Sequence, residues 1–429
     1  MSISSLVRLL ISLFVAFVVL AQSDKPHCVV ESSNGKSDDS PAIKAAFTKC
    51  ASNGVIEFKA GVDYNVWTPI THKLNNVDIR VNGNLHLPNS IIKVLQITNG
   101  RKVTWFQFSG ANVHWIGSSN EKYGWINSYG QQWYDANPPG KTGLEGRPHL
   151  FRWAVNQGTV RHFKSRKPMG WNVGISGDNN LITDAIIDAV SSTSAFPFNT
   201  DAFGVGARNV TIKNSYILNG DDALAIQNGA HDILFENNTI GYQTHGMSVG
   251  SLGGDPNSPA DVSNIMFKNI TVKGGLYAAR FKSWKGGKGL VQNVTWSNIR
   301  LENVTFPIFV TQTYQNQALG QQSRPSGQAV RMKDFTWSNF SGTINTQNPG
   351  DGSCVKPCWY NDGLPTLRHT EAVILGCDSA TSCQNFVLKN INLEPAGGNA
   401  HTTQICMNAK SDLNPRLGIG CSNGTFRAI

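Results

Sequence analysis

A short pattern that keeps returning constrains this chain more than anything else in it. Asn209-Val-Thr-Ile-Lys-Asn, Asp232-Ile-Leu-Phe-Glu-Asn, Asn264-Ile-Met-Phe-Lys-Asn, Asn293-Val-Thr-Trp-Ser-Asn, Lys333-Asp-Phe-Thr-Trp-Ser-Asn and Gln384-Asn-Phe-Val-Leu-Lys-Asn all set apolar residues two apart and close on asparagine. Such alternation is the period of a strand, and asparagine tolerates the tight backbone of turns. The copies recur irregularly, mostly about every 20–30 residues, within the range of solenoid repeats. Looser runs precede them: Asn76-Val-Asp-Ile-Arg-Val, Val94-Leu-Gln-Ile, Val103-Thr-Trp-Phe-Gln-Phe and Leu181-Ile-Thr-Asp-Ala-Ile-Ile. A parallel β-helix accounts for this. Each coil contributes a few short strands, the coils stack over one continuous core, and asparagines stack in ladders at the turns. A propeller would show longer antiparallel four-strand units, and a sandwich would not repeat itself along the chain. The expected fold is all-β, a single-domain parallel β-helix over residues 22–429. A short helix caps one end at Ser40 to Lys49, with Ser40 as N-cap, Pro41 at the first helical position, and Ile43, Ala46 and Phe47 on one face.

Composition narrows the class. Only 15% of residues are charged and 42 are glycine, which disfavours long amphipathic helices and coiled coils. The net charge of +9 favours acidic partners. Lys and Arg are scattered, however, rather than gathered into the dense basic runs of nucleic-acid-binding arms. Residues 1–21 read as a secretory signal peptide, with Arg8 ahead of the apolar run 9–20 and Val19-Leu-Ala at a cleavage site. That run is shorter than the roughly 20 apolar residues of a membrane span. The 8 cysteines fit an oxidising, extracellular setting, and residues 51–353 contain none. Proximity suggests the pairs Cys28–Cys50, Cys354–Cys358, Cys377–Cys383 and Cys406–Cys421; the short Cys/His spacings of a zinc site are missing. Asn-x-Ser/Thr sequons at Asn209, Asn237, Asn269, Asn293, Asn303, Asn339 and Asn423 suit a secreted glycoprotein, although the repeat itself uses Asn and Thr heavily. The expected partner is an acidic polysaccharide, with no nucleic acid and no membrane, met by a monomer.

Three segments carry candidate chemistry. Asn199-Thr-Asp201 and Asn219-Gly-Asp-Asp222 place acids at both ends of one span; His245 sits in the glycine-rich run 244–253; Arg280 and Lys282 are two apart. Each has an ordinary reading. Aspartates punctuate strands, a lone histidine in a turn is commonplace, and cations two apart form one solvated strand face. Their origin in successive repeat units changes the balance. Stacked coils bring equivalent positions to about 5 Å from one another, so Asp201, Asp221, Asp222, His245, Arg280 and Lys282 would form one cluster, which is costly unless function needs it. One carboxyl kept protonated and another ionised to activate water is the equipment of a glycosidase.

Asn-Thr-Asp, Gly-Asp-Asp, His-Gly ahead of Ser-x-Gly-Ser, and Arg-x-Lys, in this order, resemble the signature motifs of the polygalacturonases, glycoside hydrolase family 28. The likeness spans at least residues 199–314. It implies a right-handed parallel β-helix, no metal or other cofactor, and hydrolysis, with inversion, of α-linked galacturonate-containing pectin chains of plant cell walls. By motif, Asp221 resembles the general acid, and Asp201 and Asp222 the pair that orients and deprotonates the attacking water, at the about 6.5–9.5 Å acid–base separation of inverting sites. His245 looks like the residue that tunes the acid. Arg280 and Lys282 resemble the pair that holds a substrate carboxylate on the leaving-group side, Asn199 a residue that fixes the substrate or a neighbouring carboxylate, and Tyr314 the family's later cleft tyrosine. Ala223 stands where most members have cysteine, Phe281 replaces an isoleucine and Thr244 a glycine or serine, departures that point to altered specificity. Residues 115–148, rich in Gly, Trp, Tyr and Pro, are expected to leave the coil stack as loops beside the groove. They either close one end of it, with Trp125, Tyr129, Trp133 and Tyr134 as a sugar-stacking wall that enforces exo action, or pack as structure. The rival substrate is rhamnogalacturonan, where a rhamnose across the cut would need no carboxylate partner. A non-catalytic pectin-binding β-helix and a lyase are the readings from other classes.

Overall fold

A computed structural model describes residues 25–137, 144–314, 328–354, 360 and 363–429. Its strands form one 30-stranded sheet. Among the described residues every strand pairing is parallel except that of Thr403–Met407 with Gly424–Thr425. Partners are never chain neighbours in the central coils. Phe203–Val205 pairs with Leu224–Ile226, which pairs with Met247–Leu252. Each ladder therefore advances one full coil per step, which makes the fold a parallel β-helix.

The repeat is what stacks. Its first apolar position becomes the register row Val210, Ile233, Ile265, Val294 and Phe335, and its second the row Ile212, Phe235, Phe267, Trp296 and Trp337, all buried. Side chains of one type above one another can lie flat. Phe267 and Trp296 stack at 5.1 Å and 8°, and Trp296 and Trp337 at 5.5 Å and 2°. The closing asparagines turn the corner. Asn237, Asn269, Asn298, Asn339 and Asn390 all hold φ between 55° and 57°, left-handed backbone that asparagine adopts at less cost than other side chains. Each of the last four donates its amide to the residue one coil back, at 3.1, 3.0, 2.8 and 2.9 Å. A second ladder runs Asp232, Asn264, Asn293 at the opening of the repeat. The sequon residues Asn209, Asn269, Asn293 and Asn339 are rungs of these and similar ladders.

The capping helix spans Ser40–Lys49 and buries Ile43, Ala46 and Phe47. Its N-cap is Asp39 rather than Ser40, and it is Asp38 whose carboxylate accepts from Ser40 N at 3.0 Å and Oγ at 2.6 Å. The run beginning at Val94 is not a strand. It belongs to the helix Ile91–Thr98, which Ser90 caps by accepting from Lys93 N and Asn99 closes in left-handed backbone. Those two caps outweigh the β-branched content. Residues 115–148 also need correction. Trp115 lies buried in the coil strand Thr104–Gly117, and Trp125–Asn127 pairs in register with Lys164–Arg166. Trp125, Trp133 and Tyr134 are buried, and Tyr134 Oη donates to Pro168 O at 2.6 Å. Tyr129 is exposed and bonds His86 at 2.8 Å. These aromatics complete the coil wall, and none of them lines the cleft. Residues 138–143 lie outside the described residues, as do the signal segment 1–21 and the Cys354–Cys358 pairing.

Disulfides join Cys28 to Cys50, Cys377 to Cys383 and Cys406 to Cys421. No helix among the described residues is long and apolar enough to cross a membrane.

Candidate active site

Register brings the acids together. Phe203 pairs with Leu224 and Leu224 with Met247, so Asp201, Asp222 and His245, each two residues earlier, occupy one row in consecutive coils. Backbone bonds lock the row: Ala202 N donates to Asp222 O at 2.9 Å and His245 N to Asp221 O at 2.8 Å. Arg280 pairs with Ser248 one coil further on. The asparagines of the motifs are braces. Asn219 donates to Asp221 O at 2.7 Å and Asp222 O at 3.1 Å, which pins the acidic turn. Thr200 Oγ1 accepts from Gly220 N at 3.0 Å and ties the two turns to each other.

The row opens into a cleft of about 850 Å³ that Asn199, Asp201, Asp221, Asp222, Arg280 and Tyr314 help to line, together with His245 and Lys282. Its floor is the register row Gly174, Gly204, Ala225, Ser248, small residues that leave room, bounded by Arg152 at one end and Arg280 at the other. The residues that the motifs single out therefore face one space, whereas the proposed aromatic wall does not.

The partners of the three acids differ. Asp222 is salt-bridged to Lys282 Nζ at 2.6 Å, accepts from Ser248 Oγ at 2.5 Å, and lies 3.7 Å from Arg280 Nη1. Asp221 sits 3.1 Å from His245 Nδ1 and accepts from Asn199 Nδ2 at 3.3 Å. Asp201 Oδ1 is buried with no hydrogen-bond partner among the described residues. Burial and the charges of Asp221 and Asp222 push the Asp201 pKa well above the carboxylate range. For Asp221 burial pushes the same way but loses to the His245 imidazolium, Lys282 and Arg280, which hold it below that range. Burial would likewise discharge His245, yet Asp221 and Asp351 raise it to about 9. The carboxyls are thus pushed apart, Asp201 toward its neutral form and Asp221 toward its charged form beside His245.

Several residues that shape the site carry no sequence motif. Asp351 Oδ2 meets His245 Nε2 at 2.9 Å, and its other oxygen accepts from Ser353 N at 2.9 Å and Oγ at 2.5 Å. Phe196 stacks on the His245 ring at 5.8 Å and Tyr277 meets it edge-on at 5.7 Å. Arg147 Nη2 donates to Asn199 Oδ1 at 2.8 Å, which turns the Asn199 amide toward Asp221. On the cation side, Arg280 lies 4.1 Å over Tyr277, Lys282 5.7 Å from the Tyr314 ring, and Trp284 packs on Tyr314 at 5.2 Å.

Asp221, Asp222 and His245 offer ligand atoms within 4.8 Å of one another, close enough to hold a metal. Their partners argue against that use. Asp222 is already neutralised by Lys282, and His245 in its protonated form has no lone pair to give.

A family model described as Glycosyl hydrolases family 28 matches residues 68–361. A "Probable exopolygalacturonase C" of Aspergillus terreus is 53% identical over 414 residues, covering 96% of this chain and 95% of that protein. The protein of the same description from Aspergillus niger is 54% identical, covering 95% and 94%. Among solved structures, endo-xylogalacturonan hydrolase from Aspergillus tubingensis superposes with a TM-score of 0.71 at 22% identity, covering 93% of this chain and 99% of that one. A polygalacturonase from Erwinia carotovora superposes at 0.63 with 19% identity, covering 90% and 96%. At such identity the structures speak to the fold alone, the right-handed parallel β-helix that parallel crossovers favour. Between the matched family model and relatives more than half identical over nearly the whole length, the chain belongs to glycoside hydrolase family 28.

Proposed function

We propose that the protein is a secreted polygalacturonase that removes galacturonate from chain ends of pectin, by inverting hydrolysis and without a cofactor. The observation that carries this reading is the acid cluster of Asp201, Asp221 and Asp222 set beside Arg280 and Lys282 in one open cleft. The names of the relatives support its exo form.

Asp221 is the acid. It shares a proton with His245 Nδ1 across 3.1 Å, and the two titrate as a pair. As the glycosidic oxygen takes the proton from Asp221, the bond from that oxygen to the anomeric carbon breaks and the leaving sugar departs as an alcohol. Water held by Asp201 and Asp222 attacks the anomeric carbon from the opposite face, and its proton passes to that carboxylate pair, which titrates as a unit. Arg280 and Lys282 hold the carboxylate of the leaving sugar, by a fork and a point charge, and Tyr314 packs beside them. Asn199 fixes Asp221. The nearest ligand atoms of Asp221 and Asp222 lie within 4.8 Å, closer than the about 6.5–9.5 Å usual for inversion. The stereochemistry therefore rests on family membership and is tested directly.

Incubation with polygalacturonate and with rhamnogalacturonan oligosaccharides, followed by identification of the products, tests the reading. Monomeric galacturonate, inverted when first formed by proton NMR, is the expected result. Free rhamnose would transfer the enzyme to the rival substrate, mixed oligomers would make it an endo enzyme, and unsaturated ends would make it a lyase. Asp221→Asn is expected to lower kcat by about 10²–10⁴-fold with an unchanged circular dichroism spectrum; near-native turnover would remove Asp221 from the acid's role.

A further inference from the structure

The cleft does not end at the acids. The register that aligns Asp201 with Asp222 continues toward the N-terminus. Phe151 pairs with Val173 and Val173 with Phe203, so His149, Trp171 and Asp201, each two residues earlier, form one row in consecutive coils. At about 4.8 Å per coil, Trp171 stands one step from Asp201 and His149 about 10 Å away. Arg280 and Lys282 lie on the opposite, C-terminal side of the acids. If those cations take the leaving sugar, the sugar that receives the water lies against Trp171 and His149.

A side pocket of about 400 Å³ opens there, with Lys102, Arg147, His149, Trp171 and Asn199 among its lining. Three of these, His149, Trp171 and Asn199, also line the main cleft. Lys102 makes no ion pair among the described residues, and its Nζ lies 5.1 Å from the centre of the Trp171 ring. Arg147 adds charge, but most of its donors are engaged, by Asn199 Oδ1 at 2.8 Å, Leu144 O at 3.1 Å, Met169 O at 3.5 Å and Phe198 O. The His149 imidazole stacks on Trp171 at 4.6 Å and 22°. Its Nε2 is buried without a hydrogen-bond partner among the described residues. Burial, Lys102 and Arg147 lower its pKa to about 4, so it is a neutral ring with one donor to give. Glu145, the pocket's acid, is exposed. A free ammonium, an unsatisfied imidazole and an aromatic plate beside the reacting carbon make a receptor for a carboxylate-bearing sugar.

We propose that Lys102 and His149 bind the carboxylate of the sugar whose anomeric carbon is attacked, so that the cleft demands a uronate on both sides of the bond. The inference rests on the hydrolase reading above, and it separates galacturonan from rhamnogalacturonan on this enzyme's own residues: a neutral rhamnose would offer Lys102 and His149 no carboxylate to bind.

The test compares kcat/KM on trigalacturonate with kcat/KM on the same trisaccharide whose non-reducing sugar is neutral galactose. Native enzyme is expected to favour the uronate strongly. Lys102→Ala is expected to lose about 10–100-fold on trigalacturonate, the range for a hydrogen bond to a charged group, and to change little on the neutral-ended substrate. Lys102→Arg is expected to keep most of the preference. Lys102 lies between the helix Ile91–Thr98 and the strand Thr104–Gly117, outside both, so a thermal melt is expected to show a folded variant. Equal losses on both substrates, or none on either, would overturn the proposal while leaving the hydrolase reading intact. A native enzyme that cleaves neither substrate would overturn both.

Discussion

At the scale of single residues, His245 is held between two carboxylates and two rings. Asp221 faces Nδ1, Asp351 faces Nε2, and Phe196 and Tyr277 cover the ring, with Arg280 behind Tyr277. Asp351 touches neither Asp201 nor the cleft, so its effect reaches the reaction through the imidazole. In Asp351→Asn one of the two anions that raise His245 to about 9 is gone. The Asp221–His245 pair then gives up its proton at lower pH. The alkaline limb of the kcat profile is expected to move acidward by about one unit, the scale of one nearby charge, with KM little changed. A variant that is only less stable, with the limb in place, would make Asp351 a loop strut. The contrast between these residues also explains what could be read without a structure. Asp201, Asp222 and His245 occupy corresponding points of successive coils, with Asp221 beside Asp222 and Arg280 and Lys282 one coil on, so counting coils brought them close. Asp351 reaches His245 from 106 residues away out of a stretch that repeats nothing, and Arg147 reaches Asn199 across 52. No local pattern marks contacts of that kind. How the carboxyls are pushed apart was equally hidden, because it depends on burial and on where His245 and Lys282 sit beside them.

At the scale of the element, the coil row Phe267, Trp296, Trp337 makes the repeat measurable. Trp296 is fully buried and stacked on both sides, so Trp296→Ala is expected to destabilise by about 3–5 kcal/mol through lost burial and the cavity left behind. The corner beside it offers a finer test. Asn298 holds φ 57°, donates to Asn269 and accepts from Asn339. Asn298→Ala loses both rungs and incurs the left-handed strain of about 1–2 kcal/mol, whereas Asn298→Gly loses only the rungs. The alanine variant is therefore expected to melt below the glycine variant; equal melting points would mean that the corner is unstrained. Strands were legible where apolar residues alternate up to an Asn corner. The helix Ile91–Thr98 was not, since its β-branched interior reads as strand and only Ser90 and Asn99 betray it. Residues 115–148 misled for a related reason. An aromatic stretch reads as a binding surface until register shows Trp115 and Trp125 in the coil wall.

At the scale of the whole molecule, the buried cluster makes stability depend on pH. His245 has its folded pKa raised to about 9, against about 6.5 for an unperturbed histidine. Its contribution is full below about 6.5 and is lost as pH rises through about 9. Asp201 is raised as well, so it too favours the folded state at low pH and costs stability once the unfolded chain ionises above about 3.9. Asp221 works the other way: it is held below the usual range, so its contribution is present above about 3.9 and is lost as pH falls further. The melting temperature is therefore expected to be highest in acidic solution and to fall between about pH 6.5 and pH 9, where His245 is losing its hold. The net charge of +9 pulls in the opposite direction, since raising the pH relieves repulsion among surface cations. Salt tells the two apart. Surface repulsion fades as the Debye length shrinks to about 3 Å at 1 M, but a buried Asp–His–Asp contact is screened far less. Melting curves collected across this range in high salt are expected to keep the alkaline decline, and His245→Gln is expected to flatten it. A decline that vanishes in salt would place the pH response on the surface, and one that survives both high salt and His245→Gln would take it off the imidazole.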